Sequence, residues 1–264
     1  MSGLRHGLHS ALFAIAALAL SAFAQAVECT SAQLDGKAAL ACRVDAHRED
    51  LRLFLNDAGG NPLQNFAALE RSVASQGLRV TFAMNAGMFQ PNYSPVGLFI
   101  ADGKQVKRLN TADGTDNFTL KPNGVFFLGA SGAGVVESSQ FPAIPKPVTL
   151  ATQSGPLLVQ AGAIHPRLSA TSVSRLIRNG VGVDNAGIVV FAITEDAMNL
   201  HEFARLFRDT LHCPNALYFD GNVSSVYVPA RQLNIQRSQL GPMIAVVEPT
   251  SAASADKGAG KRAP

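Results

Sequence analysis

The stretch Arg79-Val80-Thr81-Phe82-Ala83-Met84, followed by Asn85-Ala86-Gly87, sets the pattern for most of the chain. Its first six residues are mainly apolar, with the β-branched and aromatic side chains that favour a buried strand. Asn85 and Gly87 then place a polar side chain and a conformationally permissive residue where that strand ends. Such a strand end can carry a binding or catalytic group, because side chains leave the sheet there and glycine lets the backbone approach a ligand.

Similar short apolar runs lie on both sides of this stretch. They are separated by Gly, Pro, Asn and Ser, which indicates strands joined by turns. Asp35-Gly36 and Asp102-Gly103 are dipeptides typical of hairpin turns. The predicted strand segments are Leu51–Leu55, Arg79–Met84, Pro95–Ile100, Gln105–Leu109, Gly124–Leu128, Pro156–Val159, Gly180–Val183, Gly187–Ile193, Ala216–Phe219 and Val223–Val228.

Two stretches show helical spacing instead. The first follows Asn61-Pro62, ends before Gly77 and has apolar residues at Leu63, Phe66, Ala67 and Val73. The second begins at Asn199, whose spacing from Glu202 predicts a capping box, and its apolar face comprises Leu200, Phe203, Ala204, Phe207 and Leu211. We therefore predict an α+β fold: a single domain with a mixed, mainly antiparallel β-sheet body and two principal helices.

The two ends of the chain differ from its middle. Arg5, the apolar run Ala11–Ala24 and the pattern Ala24-Gln25-Ala26 form the three parts of a secretory signal peptide, with an uncleaved membrane anchor as the alternative. Residues 249–264 are mainly Ala, Ser, Gly and Lys, which predicts a disordered tail. The predicted organisation is a signal peptide over residues 1–26, a folded domain over 27–248 and a tail over 249–264, in a periplasmic or secreted protein.

The net charge of +3 comes from the ends of the chain. Arg5 contributes one positive charge and the tail contributes two, so residues 27–248 are neutral overall. Those residues contain no cluster of Lys and Arg, and we therefore predict no nucleic-acid partner. We also expect no stable membrane span after processing, and the sequence leaves the oligomeric state open.

Three cysteines follow the predicted signal peptide, in a compartment where disulfides persist. Cys29 and Cys42 flank the Asp35-Gly36 turn and can face each other across paired strands, which predicts a bridge between them. Cys213 follows an apolar helix, and we interpret it as a buried structural cysteine.

Most familiar catalytic motifs are absent from the sequence. It contains neither a His-Glu-x-x-His pair nor a Gly-x-Ser-x-Gly elbow. Gly129–Gly134 follows a strand, but its glycines are in the wrong order for dinucleotide binding, so we predict a turn there and no cofactor. Four polar clusters with glycine remain, each at a predicted strand edge and each, taken alone, more typical of a turn than of a site: Asn85–Phe89, Ser154–Pro156, Arg178–Gly180 and Asp220–Ser225.

The order and spacing of these clusters resemble the phosphodiester glycosidase family, over a region from about Val80 to Val247. The matching pieces are Asn85-Ala86-Gly87-Met88-Phe89, Pro95-Val96-Gly97-Leu98, Asn117-Phe118, Lys121-Pro122-Asn123-Gly124-Val125-Phe126, Ala151-Thr152-Gln153-Ser154-Gly155-Pro156, Arg178-Asn179-Gly180-Val181-Gly182 and Ala216-Leu217-Tyr218-Phe219-Asp220-Gly221. The chain departs from the family at Asn222, where the family often has a second glycine before its serines. A side chain there can narrow the pocket or change the leaving group that is accepted.

The resemblance implies an exported hydrolase that cleaves a sugar-1-phosphate linkage in an envelope or extracellular glycan. We expect Arg178 to clamp phosphate oxygens and Asp220 to act as the base, with Asn85 as the third catalytic residue. Asn85 and Ser225 are expected to hold sugar hydroxyls or a phosphate oxygen. The remaining predicted substrate-binding residues are Gly87, Asn123, Gly155, Gly221 and Ser224.

Two other functions are alternatives for this sequence. The first is an envelope protein that binds a glycan or phosphoglycan without catalysis. The second is a metal-dependent phosphodiesterase with Asp116, Asp184 and Asp220 as ligands for Mg²⁺ or Ca²⁺. These carboxylates are widely separated in the sequence, so no metal site is predicted for the glycosidase.

Overall fold

The computed structural model describes residues 27–250, which form three β-sheets and two helices around a shared core. The predicted signal peptide and residues 251–264 of the predicted tail lie outside the described residues. The α+β fold class is confirmed, and every strand pair within residues 27–250 is antiparallel. In that same region, no helix has the length and apolar character needed to cross a bilayer.

The elements follow one another with short connections. The strands are β1 (Glu28–Leu34), β2 (Lys37–Val44), β3 (Asp50–Phe54), β4 (Leu78–Asn85), β5 (Phe99–Ala101), β6 (Lys104–Lys107), β7 (Gly124–Gly129), β8 (Gly132–Glu137), β9 (Val148–Ser154), β10 (Leu157–Gln160), β11 (Ala163–Ile164), β12 (Asn179–Val183), β13 (Val189–Thr194), β14 (Asn215–Asp220), β15 (Val226–Val228), β16 (Leu233–Ile235) and β17 (Met243–Pro249). The helices are α1 (Phe66–Ala74) and α2 (Leu200–Arg205), with a π-helical turn over Leu206–Thr210 and 3₁₀ turns over Ser138–Ala143 and Pro229–Arg231.

The three sheets pack into one body. The first has the strand order β1-β2-β13-β12-β14-β10-β11, the second β16-β15-β4-β17-β3 and the third β6-β5-β9-β7-β8. Phe191 of the first sheet lies 5.0 Å from Phe82 of the second and 6.1 Å from Phe126 of the third, measured between ring centroids. One apolar core therefore joins all three sheets, as expected for a single domain.

Helix α1 begins later than its apolar spacing suggested. The Asn65 side chain accepts a hydrogen bond from the Ala68 N–H at 2.8 Å, and this cap fixes the first turn of the helix after Leu63. Phe66, Leu69 and Val73 form the buried face of the helix, whereas Ala67 is exposed. The final strand β17 includes Pro249, which places the end of the fold beyond the predicted boundary at Glu248.

The cysteine predictions are confirmed. Cys29 and Cys42 are register partners on β1 and β2 and form a disulfide. Cys213 is buried behind α2, and burial raises the pKa of its thiol to about 12. A thiol with that pKa is protonated at neutral pH and is a poor nucleophile.

The predicted capping box of α2 is also present. Asn199 accepts a hydrogen bond from the Glu202 N–H at 2.8 Å, and Glu202 accepts one from the Asn199 N–H at 2.9 Å. Glu202 additionally pairs with Lys37 at 2.7 Å and Arg175 at 2.5 Å. Burial alone would raise the pKa of Glu202, but these partners outweigh it and lower the pKa to about 2. Glu202 thus joins the β1–β2 hairpin, helix α2 and the loop before β12.

We predict that Glu202→Gln lowers the thermal midpoint at pH 7 by about 3 °C, because it removes two ion pairs. The folded-state pKa of Glu202 is depressed, so its stabilisation is complete above its ordinary pKa of 4.5 and is lost as the pH falls towards 2. Melting curves of the wild type and the variant should therefore converge as the pH falls below 4.5. The exposed Glu195→Gln serves as the control, and a difference that did not depend on pH would contradict the prediction.

Candidate active site

Strand ends from all three sheets meet at one place in the fold. β4 of the second sheet ends there at Asn85, and β9 of the third sheet ends there at Ser154. In the first sheet β12 begins at Asn179 and β14 ends at Asp220, and these two residues are register partners. The four clusters predicted from the sequence therefore converge on a single site.

A pair of side-chain amides forms the centre of this junction. Asn85 and Asn179 are both fully buried. The Asn179 Nδ2 donates to Asn85 Oδ1 at 3.0 Å and to the Asn85 carbonyl at 3.1 Å, and the Asn85 Nδ2 donates to Asn179 Oδ1 at 3.2 Å. These bonds join β4 to β12, and so connect the second sheet to the first.

The same amides hold the segment that follows β14. The Ser225 N–H donates to Asn85 Oδ1 at 2.9 Å. The Ser224 Oγ lies 3.3 Å from Asn179 Oδ1 and 3.0 Å from the Asp220 carbonyl, and its single proton serves one acceptor at a time. Both serines are buried and bonded within the protein. Asn85, Ser224 and Ser225 are thus engaged in hydrogen bonds within the protein, and the catalytic and substrate-binding roles predicted for them stay predictions.

Asp220 organises a tight loop around its carboxylate. Its Oδ1 accepts hydrogen bonds from the N–H groups of Gly221, Asn222 and Val223, at 2.6, 2.6 and 3.1 Å. The predicted strand Val223–Val228 is therefore shorter, because the backbone turns around Asp220 before β15 starts at Val226. Asn222 is exposed on this loop, and Oδ2 of the half-buried Asp220 is bonded to none of these three groups.

Arg178 lies just before β12 with only 1% of its surface exposed. Its guanidinium donates from Nε to the Met198 carbonyl at 2.6 Å, from Nη2 to the Ser174 carbonyl at 2.9 Å and from Nη1 to the Tyr218 hydroxyl at 2.9 Å. A guanidinium has five N–H donors, and these three bonds leave one N–H on each terminal nitrogen for another acceptor. Within residues 27–250, Arg178 forms no ion pair with a carboxylate.

Tyr218 lies beneath the Arg178 guanidinium. The guanidinium carbon is 5.4 Å from the centre of the Tyr218 ring, within the range of a cation–π interaction. Burial raises the pKa of the Tyr218 phenol above its ordinary range; the positive charge of Arg178 opposes this rise and Asp220 adds to it. The phenol is therefore protonated and neutral at neutral pH.

The predicted glycines allow close backbone approach at this site. A Cβ at Gly221 would lie 2.4 Å from the Tyr218 hydroxyl, and one at Gly155 would lie 2.8 Å from Asn123 Cβ. Gly87 has a φ of +128° and packs against the end of β9, where an added Cβ would be 3.7 Å from Ser154 Cβ. Both Gly87 and Gly155 therefore flank Ser154, which links β9 to β14 by donating to the Phe219 carbonyl at 3.1 Å.

Asn123 lies beyond Gly155, at the edge of the junction. Its Nδ2 donates to the Phe118 carbonyl at 2.7 Å, whereas its buried Oδ1 has no hydrogen-bond partner in the structure. A buried acceptor without a donor is costly, so a hydroxyl or water that donated to it would be stabilised. This orphan oxygen is compatible with the predicted substrate contact of Asn123.

The alternative set of metal ligands is not brought together. Asp184 follows β12 at the end opposite to Asn179, where it pairs with Arg43, while Asp220 is the register partner of Asn179. Asp116 caps its own loop through the N–H groups of Phe118 and Thr119. The prediction that Asp116, Asp184 and Asp220 could form one ligand set was wrong, and no other group of three such side chains occurs within residues 27–250.

A cleft of about 600 Å³ lies elsewhere on the surface, between β3, the β5–β6 turn and β9. Its lining includes Asp50, Arg52, Asp102 and Thr149, and none of the predicted site residues. Arg52 is already paired with Asp50 there. We assign the site to the strand junction, because the clustered polar groups, the buried cation and the orphan acceptor are found there.

Three residues of the junction were absent from the predicted site. Asn179 and Ser154 belong to clusters that the sequence singled out, but only their neighbours were assigned roles. Tyr218 lies within the predicted strand Ala216–Phe219 and was assigned no role. Its position two residues before Asp220 was the available signal, because alternate residues of a regular strand share a face. In the structure the register with β12 shifts between these two residues.

Comparisons with known proteins cover the region that contains the strand junction. A family model described as phosphodiester glycosidase matches residues 79–247, which include every predicted site residue. The uncharacterized Escherichia coli protein YigE is 35% identical over 203 residues, covering 77% of this chain and 79% of that protein.

Two solved structures share the fold. One is the catalytic domain of zebrafish N-acetylglucosamine-1-phosphodiester alpha-N-acetylglucosaminidase, auto-inhibited by its pro-peptide, with a TM-score of 0.60, 16% identity and coverage of 83% of this chain and 81% of that chain. The other is a hypothetical protein from Synechocystis, with a TM-score of 0.51, 15% identity and coverage of 83% of this chain and 61% of that chain. At these identities the two structures support the fold alone.

We predict that Asn179→Ala destabilises the protein by about 2–3 kcal/mol, because the buried Asn85 amide loses its partners. Urea unfolding measures this loss. The control is Asn234→Ala, which removes an exposed amide on the edge strand β16 and should cost less than about 0.5 kcal/mol. Equal stabilities of the two variants would show that the amide pair does not hold the junction.

Proposed function

This chain belongs to the phosphodiester glycosidase family, and we propose that it is an exported hydrolase that cleaves a sugar-1-phosphate linkage in an envelope or extracellular glycan. The family supports phosphodiester glycosidase activity in general. The substrate and the place of action are parts of our proposal.

The observation that carries this proposal is the buried charge of Arg178. Burying a cation is unfavourable unless an anion or several hydrogen bonds compensate it. Arg178 has neutral hydrogen-bond acceptors, and among the described residues no carboxylate lies within salt-bridge distance of it. A phosphodiester carries one negative charge and accepts two parallel N–H bonds, which fits the two unused N–H groups of the guanidinium.

The proposed reaction is hydrolysis between the anomeric carbon and the phosphate oxygen. Water adds to the anomeric carbon while the carbon–oxygen bond breaks, and its electron pair stays with the phosphate. The products are a free sugar and a phosphomonoester. The leaving group has a second pKa of about 6, so it departs without strong help from an acid. A site for this reaction needs charge stabilisation more than proton donation.

Asp220 is suited to receive the proton of the attacking water. Three backbone N–H groups hold its Oδ1, which leaves Oδ2 as the oxygen that can act on water. The carboxylate is at the end of β14, and Gly221 follows it directly. A Cβ built on Gly221 would lie 3.4 Å from Nη1 of Arg178. The proposed base and the proposed anion site are therefore adjacent.

We predict that Asp220→Asn lowers kcat by about 10²–10⁴-fold on a synthetic sugar-1-phosphodiester. The amide oxygen can still accept the three loop N–H groups, so the loop should stay folded while the basic oxygen is lost. A rate assay combined with thermal melting checks both parts of this expectation.

Asp184→Asn is the matched control. Asp184 is also half-buried and its Oδ1 also accepts two backbone N–H groups, but it lies at the far end of β12. Its substitution should leave kcat within about twofold. If Asp220→Asn also kept near-normal turnover, Asp220 would not be the base. If the wild type bound the diester without releasing product, a glycan-binding protein would replace the enzyme.

The proposed export is supported by the disulfide between Cys29 and Cys42, since such bonds persist in oxidising compartments. Expression of the full chain in a Gram-negative host should yield a periplasmic or secreted protein. Its measured mass should equal that of a chain whose first residue is Val27. Thiol labelling after unfolding should detect Cys213 alone. A full-length product with three free thiols would contradict the proposal.

A further inference from the structure

The groups that hold the Arg178 guanidinium share one property, which is that none carries a negative charge. Two are backbone carbonyls, from Met198 and Ser174, and the third is the neutral hydroxyl of Tyr218. Asp220 is on the neighbouring strand end, but its Oδ1 is occupied by loop N–H groups and it forms no ion pair with Arg178. The guanidinium is therefore fixed in position by neutral partners, which leave its charge uncompensated.

Tyr218 is the only one of these partners that acts through its side chain. Its ring faces the guanidinium and its hydroxyl accepts the hydrogen bond from Nη1. The same hydroxyl and Nη1 both lie against Gly221, 2.4 and 3.4 Å from an added Cβ. Tyr218 thus adds a side-chain contact that holds Nη1 beside the loop that carries Asp220.

We propose that Tyr218 is a positioning residue that holds Arg178 in place without neutralising it, so that the site selects an anionic phosphodiester over a neutral glycoside. This inference rests on the proposed function. Replacement of the phenol by a carboxylate would fix the guanidinium equally well but would cancel its charge. A neutral phenol fixes the guanidinium and does not cancel its charge.

The test is Tyr218→Phe, which keeps the ring and removes the acceptor. We expect kcat/KM for a sugar-1-phosphodiester to fall about tenfold to hundredfold, the range for loss of one hydrogen bond to a charged group. In an Arg178→Lys background, Tyr218→Phe should lower kcat/KM by less than about twofold, because Tyr218 acts through Arg178. Tyr227→Phe is the matched control, since Tyr227 donates its phenol hydrogen bond to Glu70 on α1, outside the junction.

A second readout separates positioning from a general structural role. Calorimetric titration with inorganic phosphate should show weaker binding to Tyr218→Phe than to the wild type. Inhibition by the free neutral sugar should be unchanged. Gly221→Ala should reproduce the pattern, because its methyl group displaces the Tyr218 hydroxyl, and it serves as the second variant if Tyr218→Phe does not fold.

Three results would overturn the inference. The first is an unchanged kcat/KM in Tyr218→Phe. The second is an equal weakening of phosphate binding and of inhibition by the sugar. The third is full additivity of the losses in kcat/KM when Tyr218→Phe is combined with Arg178→Lys. A wild type that hydrolyses no diester would defeat the proposed function instead. In that case weaker phosphate binding by Tyr218→Phe would still support the positioning of Arg178, and unchanged phosphate binding would refute it.

Discussion

The fold depends on satisfying the polar groups at the place where three sheets meet. Strand ends bring backbone N–H and carbonyl groups that no ladder satisfies, and water has little access to this junction. The reciprocal amide pair of Asn85 and Asn179 meets this requirement and joins two sheets by side-chain bonds. Ser154 joins the third sheet to β14 in the same way. These bonds link the strand ends that surround Asp220 and Arg178.

The local elements were predictable because their signals lie in neighbouring residues. The capping box at Asn199 and the hairpin turn at Asp35-Gly36 are short-range patterns, and both are present in the structure. Strands β16 and β17 were not among the predicted strands: β16 is a short edge strand, whereas β17 contains the apolar run Met243–Val247, a signal of the same kind as those that predicted other strands. The loop after Asp220 was predicted as strand because its apolar Val223 fits a strand, whereas the three bonds to the carboxylate determine its path.

The site was predictable as a set of clusters but not as a division of roles. Sequence placed Asn85, Arg178 and Asp220 at strand ends and treated all three as groups that act on a ligand. The structure separates them by burial and by partner. The Asn85 side chain is buried and hydrogen-bonded within the protein. Asp220 has one carboxylate oxygen bonded to its own loop, and Arg178 is a buried cation. Such distinctions require tertiary contacts, for example the one between Arg178 and Tyr218, which no sequence spacing specifies.

Hydrolysis in ¹⁸O-labelled water decides whether the bond that breaks is the one between the anomeric carbon and the phosphate oxygen. A synthetic sugar-1-phosphodiester would be turned over and its products analysed by mass spectrometry. Attack at the anomeric carbon places the label in the free sugar and none in the phosphomonoester. Label in the phosphate, with the sugar unlabelled, would show attack at phosphorus and would contradict the glycosidase mechanism.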